Sequence, residues 1–151
     1  MSEAMLPVAI DLSASVTLTV PFHDADPAGI AWHGNYFRYF DGARCALLDK
    51  IGYSYRQMLA GGSYWPIVQA TVKYIKPVNF DARITVVASL VEWEYRLKIA
   101  YDVFDDQENR MTTGATVQVA VNATTGEMHF GAPEVLREQL RAYIRQSGPG
   151  L

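Results

Sequence analysis

The segment from residue 23 to residue 36 reads His23-Asp24-Ala25-Asp26-Pro27-Ala28-Gly29-Ile30-Ala31-Trp32-His33-Gly34-Asn35-Tyr36. It is polar and rich in turn-forming residues, and it separates two regular patterns. Before it, Val16 to Val20 alternates apolar and polar residues, which predicts a half-buried strand. After it, apolar residues recur at helical spacing from Asn35 to about Ile51, and Gly52 is expected to end that helix. The polar groups therefore lie on a loop between two rigid elements, where reactive side chains tend to sit.

The loop combines carboxylates with a site for a negatively charged oxygen. Asp26-Pro27 is a turn signal, and Gly29 can adopt backbone angles closed to other residues. His33-Gly34-Asn35 leads into the helix, whose first free N–H groups form a natural anion site. A carboxylate opposite a helix start suggests acyl chemistry, in which the amides hold an oxyanion and the carboxylate attacks or activates water.

Composition limits the classes of function. The chain has 151 residues, of which 50% are hydrophobic and 19% charged, and these values are ordinary for one globular domain. We expect a flexible N-terminal segment over 1–15, the domain over 16–146 and a C-terminal tail over 147–151. A net charge of −3 gives no general electrostatic reason to bind nucleic acid or an anionic membrane.

Several structural classes receive no support from the sequence. The single cysteine, Cys45, leaves no internal disulfide, and no Cys/His spacing resembles a zinc site. No apolar run approaches membrane-spanning length, and we recognise no targeting segment. We therefore expect a cytoplasmic protein with no membrane partner.

Strand patterns dominate the second half of the chain. A short helix is expected over Tyr55 to Leu59 and a last helix from Pro133-Glu134 onward. Alternating or uniformly apolar runs predict strands at Val68 to Ile75, Ile84 to Val91, Tyr95 to Val103 and Met111 to Val121, with a short strand at Glu127 to Phe130 after the turn at Thr124-Thr125-Gly126. Early helices followed by closely linked strands favour an α+β domain, with one long helix packed on an antiparallel sheet.

The opening motif also resembles a known family. Asp24 to Tyr36, continuing into Arg38-Tyr39-Phe40-Asp41-Gly42-Ala43-Arg44, is similar to the signature of hotdog-fold thioesterases of the 4-hydroxybenzoyl-CoA thioesterase type. Trp65-Pro66-Ile67-Val68 resembles the entry to that family's second strand, and Ile84 to Val121 resembles its run of antiparallel strands. The resemblance covers roughly Val16 to Asn122.

The resemblance implies a fold, a reaction and an assembly. In the family a curved sheet surrounds one long helix, and subunits pair their sheets into a homodimer or homotetramer with active sites at the dimer interface. The implied reaction is hydrolysis of an acyl- or aryl-CoA, a small-molecule substrate, without a metal or another cofactor. The catalytic carboxylate corresponds to Asp26, and the backbone amide that polarises the thioester carbonyl corresponds to His33 or Gly34.

Other positions correspond to substrate contacts, and each has a simpler interpretation. The resemblance places Tyr36 in the motif and Asp41 near an aryl substituent, but Asp41 has helix neighbours three residues away, Arg38 and Arg44, that would pair with it. Asp26 alone would read as a turn residue bonded to its own backbone. His33 is equally well explained as a capping or interface residue.

The remaining candidates lie beyond the motif. Trp65 could line an acyl pocket, although an aromatic residue at a strand entry is more often part of the core. Arg96 and Lys98 share a strand face and are candidate contacts for CoA phosphates, although most such charges are simply solvated. Asp24 is interpreted as a structural acid that fixes the loop, and Cys45 as a small buried side chain.

Two other functions stay open at this point. One is a hydratase or dehydratase acting on acyl thioesters, whose histidine and acid pattern is not matched by the spacing of His33 and Asp41. The other is a non-catalytic module that binds acyl thioesters, against which the acid before Pro27 argues.

Overall fold

A computed structural model describes residues 11–147 of the chain. In chain order its elements are β1 (Ser13–Thr19), α1 (Asn35–Lys50), α2 (Tyr55–Ala60), β2 (Ser63–Tyr64), β3 (Ile67–Tyr74), β4 (Arg83–Glu92), β5 (Leu97–Phe104), β6 (Arg110–Gln118), β7 (Val121–Asn122) and α3 (Glu134–Ser147). Most of the expected flexible segment 1–15 and of the expected tail 147–151 lies outside the described residues, so the domain limits stay a prediction. No helix among the described residues is long and apolar enough to cross a membrane.

The main sheet has five antiparallel strands in the order β1-β4-β5-β6-β3. Val86 of β4 faces Val103 of β5 across the ladder. Alternate residues of these inner strands are buried, as in β5, where Leu97, Ile99, Tyr101 and Val103 form the core side. β3 lies at one edge and is almost entirely exposed along its length.

Helix α1 packs one face on the sheet, mainly against β1 and β4. It ends before Gly52, whose φ of +80° is the left-handed conformation expected of the predicted C-cap. The ring of Phe40 stacks on Tyr101 of β5 with 4.4 Å between centroids. Gly114 of β6 makes room for this ring, because a Cβ there would lie 2.5 Å from Phe40. The expected α+β architecture of one long helix on an antiparallel sheet is confirmed.

Three local predictions are wrong. Residues 127–130 form no strand: Asn122 Oδ1 accepts the amides of Thr124 and Thr125, and only an isolated bridge from Val121 to Met128 follows this turn. Val121 belongs instead to β7, which pairs with β2. Cys45 is exposed rather than buried, because it lies on the outward stripe of α1 that also carries Asp41 and Asp49.

Candidate active site

The Asp26 loop is a tight reversal closed by its own hydrogen bonds. The Asp26 amide donates to the Ile30 carbonyl at 2.8 Å, and the Gly29 amide donates to the Asp26 carbonyl at 2.9 Å. Gly29 has a φ of +79°, which explains the glycine at this turn. The Asp26 side chain uses Oδ1 to accept the Ala28 amide at 2.8 Å. This is the bond expected of a simple turn residue, and it leaves Oδ2 available for chemistry.

A neighbouring segment, residues 78–82, holds the loop in place. The Ala31 amide donates to the Val78 carbonyl at 2.7 Å, and the Phe80 amide donates to the Gly29 carbonyl at 3.0 Å. The ring of Phe80 also lies 3.9 Å from the position that a Cβ on Gly29 would take. Backbone bonds, and not side-chain packing alone, therefore fix the chain just after Asp26 to this segment.

The start of α1 has free amides and no side-chain cap. Gly34 occupies the N-cap position and has no side chain to accept an N–H. Within residues 11–147, the amides of His33 and Gly34 donate to no hydrogen-bond acceptor. The N-terminus of a helix also carries about half a positive charge. This end of α1 can therefore accept a negatively charged oxygen, as the sequence predicted.

Asp24 connects the loop to α1. It is 4% exposed, and its carboxylate accepts hydrogen bonds from Arg38 Nη2 at 2.8 Å and from the Tyr39 hydroxyl at 2.7 Å. Burial opposes ionisation of Asp24, but the hydrogen bonds from Tyr39 and Arg38 outweigh it and lower the pKa of the carboxyl group. The interpretation of Asp24 as a structural acid is confirmed.

Asp41 makes the simpler of its two predicted contacts. Its Oδ1 accepts a hydrogen bond from Arg44 Nη2 at 2.5 Å. The Arg44 side chain is 6% exposed and that of Asp41 is 56% exposed. Arg44 also donates from Nε to the Tyr55 hydroxyl at 2.6 Å and from Nη1 to the Tyr101 hydroxyl at 3.3 Å. Asp41 therefore stands at the surface as the counter-ion of a buried arginine, with Oδ2 unbonded among residues 11–147.

Tyr36 and Trp65 lie in the core of the single chain. Tyr36 is 2% exposed and packs edge-on against Tyr39 and Tyr74. Trp65 is 5% exposed, and its Nε1 donates to the Tyr53 hydroxyl at 3.1 Å. Trp65 nevertheless borders a groove of about 210 Å³ that is lined by Tyr55, Met58, Leu59, Tyr64, Trp65 and Pro66. Among residues 11–147, this groove is where Trp65 borders open space.

Arg96 and Lys98 lie together, away from the Asp26 loop. They line a groove of about 330 Å³ on the outer face of the sheet, with Gln69, Thr71, Ala115 and Val117. Arg96 is already paired with Glu92 through two hydrogen bonds, of 2.9 and 3.1 Å. Asp26, His33 and Gly34 thus lie on one loop whose two sides are joined by the bridge between Ala25 and Ala31. Asp41, Trp65 and the two cations lie on other parts of the chain.

Tyr74 is a contact that sequence reasoning missed. Its hydroxyl donates to the His33 carbonyl at 2.7 Å, and the two rings lie edge to face with centroids 6.4 Å apart. The contact joins the end of β3 to the start of α1 across 41 residues. Because it is a long-range contact, no local pattern could have shown it. Among the described residues, no group of three His, Cys, Asp or Glu side chains could hold a metal.

Known proteins are similar to this chain in sequence or in fold. A 4-hydroxybenzoyl-CoA thioesterase of Pseudomonas is 28% identical over 117 residues, spanning 74% of this chain and 80% of the relative. A 1,4-dihydroxy-2-naphthoyl-CoA hydrolase of Thermosynechococcus vestitus is 26% identical over 100 residues, spanning 65% and 68%. The crystal structure of a Staphylococcus aureus protein in complex with CoA superposes with a TM-score of 0.78 at 17% identity, covering 99% of this chain and 92% of that one.

The fold and the named relatives define a class, a thioester hydrolase with the hotdog fold. A model of the thioesterase-like superfamily matches residues 20–140. The chain belongs to the thioesterase-like superfamily, and the resemblance noted in the sequence is confirmed.

Proposed function

We propose that the protein hydrolyses an acyl-CoA or aryl-CoA to the free acid and coenzyme A. The observation that carries this proposal is a fixed carboxylate, Asp26, on a loop that leads directly into a helix start with unoccupied amides at His33 and Gly34. The named activities of the Pseudomonas and Thermosynechococcus relatives support a CoA thioester as substrate. The Staphylococcus structure with CoA supports coenzyme A as the carrier.

The proposed reaction uses polarisation and one carboxylate. The thioester carbonyl oxygen lies against the amides of His33 and Gly34, which stabilise the negative charge that develops there. The Asp26 carboxylate either removes a proton from an attacking water or attacks the carbonyl carbon to give an anhydride, which water then opens. In both routes the C–S bond breaks and the departing thiolate takes up a proton, so no metal or redox cofactor is needed.

Typical magnitudes indicate which part contributes most. Losing one oxyanion donor usually costs about 3 kcal/mol of transition-state stabilisation, and a positioned general base contributes roughly 10²- to 10⁴-fold in rate. The amide donors at His33 and Gly34 belong to the backbone and survive side-chain changes. Removing the Asp26 carboxylate should therefore lower the rate of thiol release more than removing the His33 side chain.

Three side chains are proposed to contact the substrate. Asp41 offers an exposed carboxyl oxygen to a polar acyl group. Trp65 borders the apolar groove that would take an acyl chain. Lys98 is a better phosphate ligand than Arg96, because Arg96 is partly neutralised by Glu92.

We also propose that the active protein is a homodimer paired along β3, with a homotetramer as a further stage. β3 presents an unpaired edge eight residues long, with Val68 59% exposed, and such an edge invites another strand. An antiparallel copy centred on β3 would put the partner's Ile67 end beside Tyr74 of this chain. The Tyr74 hydroxyl bonds to the His33 carbonyl at the start of α1. The apolar groove of the partner subunit, of about 210 Å³, would therefore lie beside this helix start and complete the site.

The assembly can be tested without touching the catalytic loop. Val68→Lys places a charge on the proposed interface. Val91→Lys makes the same change at a similarly exposed valine (53%) at the end of β4. Sedimentation should show a dimer for the wild type and Val91→Lys and a monomer with reduced thiol release for Val68→Lys. A dimer that survives Val68→Lys would contradict pairing at this edge.

The activity itself is tested by a thiol-release screen. Short-chain, long-chain and aromatic acyl-CoAs are presented to the wild type, and free thiol is followed with a colorimetric reagent. Release from at least one class is expected. Conversion of an enoyl thioester without thiol release would instead indicate a hydratase, and binding without release would indicate the non-catalytic module.

A further inference from the structure

Asp24 is a buried residue at the centre of a partly exposed polar cluster that nothing in the proposed reaction uses. The cluster consists of Asp24, Asn35, Arg38 and Tyr39. The Asp24 carbonyl accepts the Asn35 Nδ2 hydrogen at 2.8 Å, and its carboxylate accepts Arg38 and Tyr39. The guanidinium of Arg38 also donates to Asn35 Oδ1 at 2.9 Å. These bonds close a ring between one residue of the loop and the first two turns of α1.

The ring joins the two halves of the proposed site. Asp24 lies two residues before Asp26 on the loop side. Its carbonyl also accepts the Trp32 amide at 2.9 Å, immediately before His33 and Gly34. The helix has no side-chain cap at Gly34, so the connection between the loop and the helix runs through the side chains of Asn35, Arg38 and Tyr39. The cluster and the Trp32 bond therefore tie the loop that carries Asp26 to the start of the helix.

We infer that Asp24 is a positioning residue for the reaction, fixing the Asp26 loop at the correct distance from the oxyanion amides. This inference rests on the proposed function. A displacement of about 1 Å between reacting groups can cost roughly 10²-fold in rate. A residue that touches neither substrate nor water can therefore control the rate by holding that distance.

The charge of Asp24 is essential to this role. A buried carboxylate persists only with partners, and here one partner, Arg38, has a side chain that is 58% exposed. His23 Nε2 lies 3.7 Å away on the solvent side, with the His23 side chain 82% exposed. Replacing the carboxylate by an amide keeps the size of the side chain but removes the charge that pairs with the Arg38 guanidinium. The Tyr39 hydroxyl, which now donates to the carboxylate, must also turn and accept the new N–H₂ group if that bond is to persist.

The first experiment compares Asp24→Asn with the wild type and with Leu140→Val. Leu140 is 1% exposed on α3, so its variant loses packing without touching the cluster. We expect Asp24→Asn to lower kcat at least tenfold with KM within about threefold, whereas Leu140→Val lowers the melting temperature and leaves kcat unchanged. Equal kcat values for Asp24→Asn and the wild type would overturn the inference.

A second pair of variants separates a loss of positioning from a loss of stability. Arg38→Gln removes the half-exposed partner without opening a cavity, and Arg38→Lys restores the charge. We expect kcat to fall in the first and to recover in part in the second. A fall that Lys does not reverse, together with a matching loss of melting temperature, would mean that the cluster serves only stability.

Hydrogen exchange tests the positioning without any substrate. In Asp24→Asn the amides of Trp32 and Asn35 should exchange at least tenfold faster, while those of β5 keep their wild-type rates. Uniform exchange across both regions would contradict the role of Asp24. A wild-type protein that releases no thiol from any acyl-CoA would refute the proposed function. Hydrogen exchange would then still test whether Asp24 fixes the loop to the helix.

Discussion

The Asp41–Arg44 pair leads to an unusual prediction about stability: removing the exposed partner should cost more than replacing the buried one. Asp41→Ala leaves the guanidinium of Arg44 buried with only the hydroxyls of Tyr55 and Tyr101 as acceptors. Arg44→Met leaves the Asp41 carboxylate in water, because that side chain is already 56% exposed. Replacing a buried ion by an apolar side chain of similar volume is often close to neutral.

The size of the effect follows from the contacts. A hydrogen bond between charged groups contributes about 1.5–3 kcal/mol, and because Asp41 is exposed, solvent screening places this bond in the lower half of that range, at about 2 kcal/mol. A domain of this length loses about 2–4 °C in melting temperature per kcal/mol, so Asp41→Ala should melt about 4–8 °C below the wild type. Arg44→Met should stay within about 1 kcal/mol, since Tyr101 keeps its 2.7 Å bond to Thr116.

These differences in stability are measured by thermal and urea unfolding of four proteins at one protein concentration. They are the wild type, both single variants and the double variant Asp41→Ala/Arg44→Met. The double variant should be more stable than Asp41→Ala alone, because the orphaned cation is gone. Additive losses, or a loss for Arg44→Met larger than that for Asp41→Ala, would refute the account of this pair.

Three further predictions concern the site and the core. His33→Ala should reduce thiol release less than Asp26→Asn in steady-state assays, because the oxyanion donors are backbone amides; a larger loss at His33 would mean that the imidazole itself takes part. Gly114→Ala should lower the free energy of unfolding by about 1–3 kcal/mol in denaturant titrations, because the new Cβ would lie 2.5 Å from Phe40; an unchanged midpoint would show that the sheet can shift. The lowered pKa of Asp24 means that its stabilisation is complete above the unfolded value of about 4 and is lost as pH falls through the folded value. Asp24→Asn should therefore flatten the loss of stability at acid pH, and an unaltered pH profile would contradict the pairing.

The local signals of the chain predicted most of the fold. The helical spacing from Asn35 onward and the glycine after Ile51 gave α1 and its end, because both depend on neighbouring residues alone. The same spacing also shows why the expected burial of Cys45 was wrong. Cys45 lies between Asp41 and Asp49 at four-residue intervals, and this stripe of the helix faces outward. Burial was inferred from residue type, whereas the helix face decided it.

The long-range contacts could not be predicted in the same way. The bond from Tyr74 to His33 and the bond from Arg44 to Tyr101 join residues 41 and 57 positions apart. Neither has a spacing rule, since each depends on how α1 lies on the sheet. The positions of Asp26, His33 and Gly34, by contrast, follow from one short segment, which is why the sequence could identify them as one group. Their catalytic roles stay a proposal.

The most direct test is thiol release by Asp26→Asn. Asparagine keeps an oxygen that can accept the Ala28 amide, now bonded to Asp26 Oδ1 at 2.8 Å, so the loop should hold its shape while the charge disappears. Asp106→Asn, an exposed acid in the turn after β5, is the matched control. The account predicts a loss of at least about 10²-fold in kcat for Asp26→Asn, with an unchanged melting temperature and full activity in the control. Turnover at the wild-type rate by a folded Asp26→Asn protein would contradict it.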